Sequence, residues 1–192
     1  VEGAIISKYR NNGQTCVCAN RLYIQDAVYD AFAEKLKVAV AKLKIGNGLE
    51  VGTTTGPLID EKAVAKVQEH IADAVAKGAT VLSGGKPMEG NFFEPTILTN
   101  VPNNAAVAKE ETFGPLAPLF RFKDEADVIA PVSRQLPFGK TRQFLVAEMH
   151  GARGRRVDAA HDVEQRRLAA ARRSEQHHHL AFRQVEIDAA QG

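Results

Sequence analysis

The feature that most constrains the fold is the alternation, over residues 1–130, of two amphipathic helical stretches with four short β-rich runs. In "DAVYDAFAEKLKVAVAKLKIGNG", Val28, Phe32, Leu36, Ala39 and Leu43 recur at helical spacing, Asp26 stands where an N-cap belongs, and Gly46 to Gly48 end the helix. In "DEKAVAKVQEHIADAVAKGA", Asp60 can cap, Val64, Val67, Ile71 and Val75 form an apolar stripe, and Gly78 occupies a C-terminal glycine position. The β-rich runs are "RLYIQ" at 21–25, "TVLSG" at 80–84, "PTILT" at 95–99 and "LAPLFRF" at 116–122. Strands separated by helices of this length predict an α/β fold with an open, mostly parallel sheet. With 192 residues, 44% of them hydrophobic, the chain can bury one core, so one domain or one and a half is expected.

Basic-residue usage changes abruptly along the chain. Up to Ala130 there are eleven lysines, three arginines and one histidine, whereas from Pro131 onward there are one lysine, ten arginines and five histidines. This reads as a join near residue 130 between two differently encoded pieces, with a genuine basic appendage as the alternative. The expected division is therefore 1–130 and 131–192. In the second piece, residues 157–175 contain strong helix formers without Gly or Pro, but the apolar face is mostly alanine. Such a helix gains little from packing, so the tail is expected to be basic and either helical or disordered.

The chemistry-bearing stretch is "NNGQTCVCANR", residues 11–21, which holds both cysteines. A cysteine acts as a nucleophile through its thiolate, with nearby backbone N–H groups to receive an oxyanion. Cys16 follows Gly13 in a polar loop between a helix and a strand, which suits a reactive group. The competing reading is that Cys16 and Cys18 are small residues at a packed turn. Two thiolates at this spacing are too few for a closed zinc site, so no metal is expected. No apolar run approaches a membrane span, and "VEGAIISKYR" lacks the order of a signal peptide. A soluble cytoplasmic protein with reduced thiols is the expectation.

"GQTCVCANR", followed about a hundred residues later by "KEETFGPLAP" at 109–118, resembles the aldehyde dehydrogenase superfamily. "KYRNNGQTCVCANRLYIQ", "GPLIDEKAVAKVQEHI" and "EGNFFEPTIL" are similar to its succinate-semialdehyde dehydrogenase branch, and the resemblance covers residues 1 to about 130. It implies part of an aldehyde dehydrogenase catalytic domain, with Cys16 as the thiol that attacks the aldehyde and its own N–H as an oxyanion donor. It implies that Arg10 holds the substrate carboxylate, a task suited to a planar guanidinium fork. It further implies that Glu111 binds the ribose next to nicotinamide, that Phe113 lines that end of the cofactor, and that Cys18 forms a reversible disulfide with the nucleophile. From the residues alone, Arg10 and Glu111 read as surface charges and Phe113 as a core residue. NAD or NADP is the implied cofactor, a small aldehyde the implied partner, and a homo-oligomer the implied assembly.

The chain departs from the family pattern in two places. It starts at the helix before the cysteine, without the family's dinucleotide-binding domain, oxyanion-hole asparagine or general-base glutamate upstream, which leaves the cofactor almost no site of its own. After residue 130 the family pattern stops, and the strands at 80–84, 95–99 and 116–122 are expected to lose neighbours and leave apolar faces open. "LPFGK" at 136–140 is a chance likeness to a late family motif. The expectation is a fragment that is inactive in isolation, because parts of a site that act together are not dispensable singly. The alternative is a non-enzymatic interaction or nucleic-acid-binding protein using the tail, where "RGRR" at 153–156 and the pairs at 166–167 and 172–173 could neutralise phosphates. Seven interleaved acids make nucleic acid the weaker reading, and His177 to His179 read as a surface feature rather than a metal site.

Overall fold

A computed structural model describes residues 1–124, 127–128 and, for the backbone alone, 144–147. The expected helix at 157–175, the arginine pairs, the three consecutive histidines and "LPFGK" lie outside the described residues. Three helices, α1 (Glu2–Tyr9), α2 (Tyr29–Val40) and α3 (Glu61–Ala76), accompany five strands: β1 (Arg21–Gln25), β2 (Thr80–Ser83), β3 (Thr96–Thr99), β4 (Leu116–Phe122) and β5 (Phe144–Ala147). None of the described helices is long and apolar enough to cross a membrane.

The strands form one sheet in the order β2-β3-β4-β1-β5. Its β3–β4, β4–β1 and β1–β5 pairs are parallel, and only β2–β3 is antiparallel. This is the expected open, mostly parallel α/β sheet. Of the three strands expected to lose neighbours, two are flanked on both sides, β3 by β2 and β4 and β4 by β3 and β1, whereas β2 is an edge strand. Phe144–Ala147, which the sequence reading did not anticipate as a strand, supplies the neighbour on the far side of β1.

β4 is buried along its length apart from Arg121, as a parallel strand covered on both faces should be. One face carries Tyr23, Leu98, Leu116, Phe120 and Phe122, packed with Val67, Ile71 and Ala74 of α3 into the main core. Tyr23 and Phe120 stack with ring centroids 5.2 Å apart. The alternate residues Leu22, Ile24, Ile97, Ala117 and Leu119 are also buried, and strand alternation turns them to the opposite face. There the Tyr9 hydroxyl donates to the Thr96 carbonyl (3.0 Å) and the Tyr29 hydroxyl to that of Leu119 (3.1 Å), tying α1 and α2 to the sheet.

The helices follow the sequence pattern with three corrections. Asp60 caps α3, its Oδ1 accepting from the Ala63 N–H at 2.8 Å. Asp26 caps nothing; it opens a 3-10 turn, Asp26–Val28, and its carboxylate accepts from Arg121 at 2.9 Å. The buried residues of α2 are Tyr29, Ala33, Leu36 and Val40; of the expected stripe Leu36 is buried, and Val28, Phe32, Ala39 and Leu43 are half-buried. In α3, Val67 and Ile71 are buried as expected, but Val75 is exposed and His70 and Ala74 take the inner positions.

Candidate active site

The thiol segment begins where α1 breaks. Asn11 (φ 47°), Asn12 (φ 56°) and Gly13 (φ 74°) are successive left-handed residues, a conformation that costs most L-residues roughly 1–2 kcal/mol each and that asparagine tolerates best after glycine. Its side chains fasten it to residues 56–59. Asn12 Nδ2 donates to the Gly56 carbonyl (2.9 Å), and Gln14 both donates to the Pro57 carbonyl (3.1 Å) and accepts from the Ile59 N–H (2.9 Å). A tight turn follows, closed by the Cys18 N–H donating to the Thr15 carbonyl at 3.0 Å, and Ala19 N–H ties its end to the Ser7 carbonyl of α1 at 2.8 Å.

That turn treats its two cysteines differently. Cys16 is exposed, whereas Cys18 is 1% exposed. The Cys18 Sγ lies 2.8 Å from Thr15 Oγ1 and 3.6 Å from the Arg10 carbonyl. Both thiols are free in this structure. Among the described residues no acceptor engages the Cys16 N–H. Arg10 is exposed at the start of the left-handed turn.

The second motif lies directly against this turn. A Cβ on Gly13 would stand 2.1 Å from the Gly114 carbonyl oxygen, and a Cβ on Gly114 would stand 2.4 Å from Val67 of α3. Gly114 is thus sandwiched between the thiol segment and the Val67 side chain of α3, and the two glycines allow their backbones this close approach. Glu111 and Phe113 both face solvent, with Phe113 45% exposed. Among the described residues no hydrogen bond joins Cys16 to Arg10, Glu111 or Phe113; the Gly13–Gly114 contact brings the two loops together.

Residues 108–114 are held by side chains that sequence reading passed over. Arg21, 1% exposed, donates from Nε to the Ala108 carbonyl (2.7 Å) and from Nη2 to that of Glu110 (3.1 Å). Asn20 Oδ1 accepts from the Thr112 N–H (2.8 Å), and the fully buried Lys8 donates to the Thr112 carbonyl (3.4 Å). From α3, His70 reaches Thr112 Oγ1 (2.7 Å) and Glu110 Oε2 (3.1 Å), and Lys66 pairs with Glu110 (2.8 Å). Burial pulls the Lys8 ammonium down to about 8, against the opposing influence of Cys18 and Glu111. Burial likewise lowers the pKa of His70, and hydrogen bonds from Lys66 and His70 lower that of Glu110. A basic residue in a sequence reads as surface; the only available signal was position, since Arg21 opens a strand that is buried on both faces.

An exposed cysteine on a constrained turn thus lies against an acidic and aromatic loop that leads into β4, an interior strand of the sheet. The model of the aldehyde dehydrogenase family matches residues 1–140, and the chain belongs to that family. It is 79% identical over 149 residues to the glutarate-semialdehyde dehydrogenase of Pseudomonas putida, an alignment covering 78% of this chain and 31% of that protein. It is 68% identical over 151 residues to the succinate-semialdehyde dehydrogenase (NADP(+)) of Escherichia coli, again covering 78% of the chain and 31% of the relative. The crystal structure of an NADP-dependent enzyme of Escherichia coli superposes with a TM-score of 0.69 at 58% identity, covering 85% of this chain and 33% of that one. The chain therefore spans about a third of the length of the relatives it matches.

Proposed function

We propose that this chain is a catalytic-domain segment of an NAD(P)-dependent semialdehyde dehydrogenase and that Cys16 is its nucleophile. The observation that carries the proposal is the turn at residues 15–18: it exposes the Cys16 thiol, leaves its N–H open, and rests through Gly13 on the loop of Glu111 and Phe113. The Cys16 thiolate adds to the aldehyde carbon, and the Cys16 N–H donates to the resulting oxyanion. Arg10 takes the substrate's distal carboxylate. The relatives are named for glutarate and succinate semialdehydes, so the substrate class is a four- or five-carbon aldehyde bearing a terminal carboxylate.

Glu111 and Phe113 fit a nicotinamide dinucleotide: a solvent-facing carboxylate two residues from an exposed ring suits a ribose diol beside an aromatic ring. When bound, that cofactor supplies the hydride acceptor that lets the Cys16 adduct become a thioester, which water then cleaves to the acid. Cys18 serves as a reversible disulfide partner for Cys16, a pairing that requires it to leave Thr15 and the Arg10 carbonyl. The 192-residue chain alone does not turn over, because it carries only about a third of its relatives' length.

The test replaces the matching segment of the Pseudomonas putida relative with residues 1–140 and follows reduced-nicotinamide absorbance with each semialdehyde. Turnover by the chimera that Cys16→Ser abolishes is the expected result; turnover that survives Cys16→Ser would remove Cys16 from the mechanism. Turnover by the isolated chain would overturn its assignment as inactive.

A further inference from the structure

Thr112 is 3% exposed, yet the residues on either side of it, Glu111 and Phe113, both face solvent. All three of its polar atoms are engaged, each by a different element. Its N–H donates to Asn20 Oδ1 just before β1, its carbonyl accepts from Lys8 of α1, and its hydroxyl meets His70 Nδ1 of α3 at 2.7 Å. A buried residue fixed at three points sets the backbone direction from which its two exposed neighbours project.

The His70 ring has one hydrogen-bonding arrangement that satisfies every partner. Its Nε2 lies 3.1 Å from Glu110 Oε2, and an ionised carboxylate only accepts, so Nε2 carries the hydrogen. In the neutral ring Nδ1 is then an acceptor, and the Thr112 hydroxyl donates to it. Protonating Nδ1 would set two hydrogens against each other until the Thr112 hydroxyl turned away. Burial disfavours that protonation and Glu110 favours it; the other charges bearing on the ring are Lys66, Glu69 and Asp73, all on α3.

We propose that His70 is a positioning residue for the Glu111 and Phe113 pair, acting through Thr112 and effective only in its neutral, Nε2–H form. The inference rests on the reading of those two residues as the cofactor edge of the site. Among the described residues His70 makes no hydrogen bond to either of them, so its influence is carried by the hydroxyl of Thr112 and the carboxylate of Glu110.

The experiment is a nuclear magnetic resonance titration of the 192-residue chain without cofactor, following the His70 ring nitrogens and the amides of Glu111 and Phe113. The expected ring is the Nε2–H tautomer with a midpoint below the ordinary histidine value, and the two amides move with that same midpoint. Thr112→Val removes the hydroxyl while keeping the shape. In that variant the ring still titrates, the amides no longer follow it, and amide exchange at residues 111–114 rises about tenfold, the scale of one lost buried hydrogen bond, with β3 unchanged. Thr112→Ser restores the coupling. An Nδ1–H tautomer, or amides indifferent to the ring in the unsubstituted chain, would overturn the proposal without recourse to any variant. Adding NAD or NADP to the full-length chimera that carries residues 1–140 separates the two readings: no response at Glu111 and Phe113 there would refute their cofactor role, while the ring titration of the 192-residue chain still decides whether His70 controls their backbone.

Discussion

The two loops that meet at Gly13 and Gly114 are held in opposite ways. The thiol segment is shaped by its own backbone, three left-handed residues in succession, and its side chains Asn12 and Gln14 reach outward to fasten residues 56–59. Residues 108–114 have ordinary backbone and are fastened by side chains reaching inward: Lys8, Asn20, Arg21, Lys66 and His70. The first loop is therefore sensitive to any change of backbone freedom and tolerant of change at its exposed tip. The second is sensitive to loss of distant side chains and tolerant of change at its own exposed residues.

The largest effect belongs to Gly13→Ala. It places a Cβ 2.1 Å from the Gly114 carbonyl oxygen at a φ of 74°, so the two loops must separate. A loss of about 3 kcal/mol or more is expected in denaturant unfolding, and a loss under 1 kcal/mol would show that the loops are not rigidly apposed. Arg21→Met comes next. It orphans the Ala108 and Glu110 carbonyls, and about 2–3 kcal/mol is expected for these buried, charge-assisted bonds; an effect confined to the local exchange of residues 108–110 would assign the arginine a purely local role.

Lys8 gives the same loop a pH signature. Its folded pKa is about 8 against an ordinary 10.5, so between these values the unfolded chain binds more protons and stability rises with pH. Above about 10 the trend reverses, because burial raises Tyr9, Tyr23 and Tyr29 above their ordinary value of 10.0 and the unfolded tyrosines ionise first. Urea midpoints should climb from pH 8 to pH 10, and Lys8→Met should flatten that climb. A smaller effect, about 1 kcal/mol, is expected for Asp60→Ala, which removes the side-chain cap of α3. Smallest is Cys16→Ser at the exposed tip, expected within about 0.5 kcal/mol of the parent.

Sequence reading succeeded where burial and periodicity coincide. β1 and β4 match "RLYIQ" and "LAPLFRF" residue for residue, and Asp60 caps as its spacing predicted. It failed where a polar residue occupies an inner position. His70, Lys8 and Arg21 are all buried, and nothing in hydrophobic spacing marks a basic side chain that finds its partners about forty to a hundred residues away. The missed cap of α2 has a similar origin: Asp26 pairs with Arg121, far along the chain, instead of capping its own helix, and such a distant partner is invisible to a local window. The exposed Cys16 was legible because glycine, polar neighbours and the start of a strand are all local signals. The burial of Cys18 two residues later was not.

The most direct test of the account is the rate of alkylation at each cysteine of the native chain near neutral pH, read by peptide mapping after short exposure to iodoacetamide. Cys16 is predicted to react at least about tenfold faster than Cys18, whose thiol is closed off by Thr15 and the Arg10 carbonyl. Equal rates, or faster reaction at Cys18, would contradict the claim that this turn presents one thiol for chemistry and hides the other.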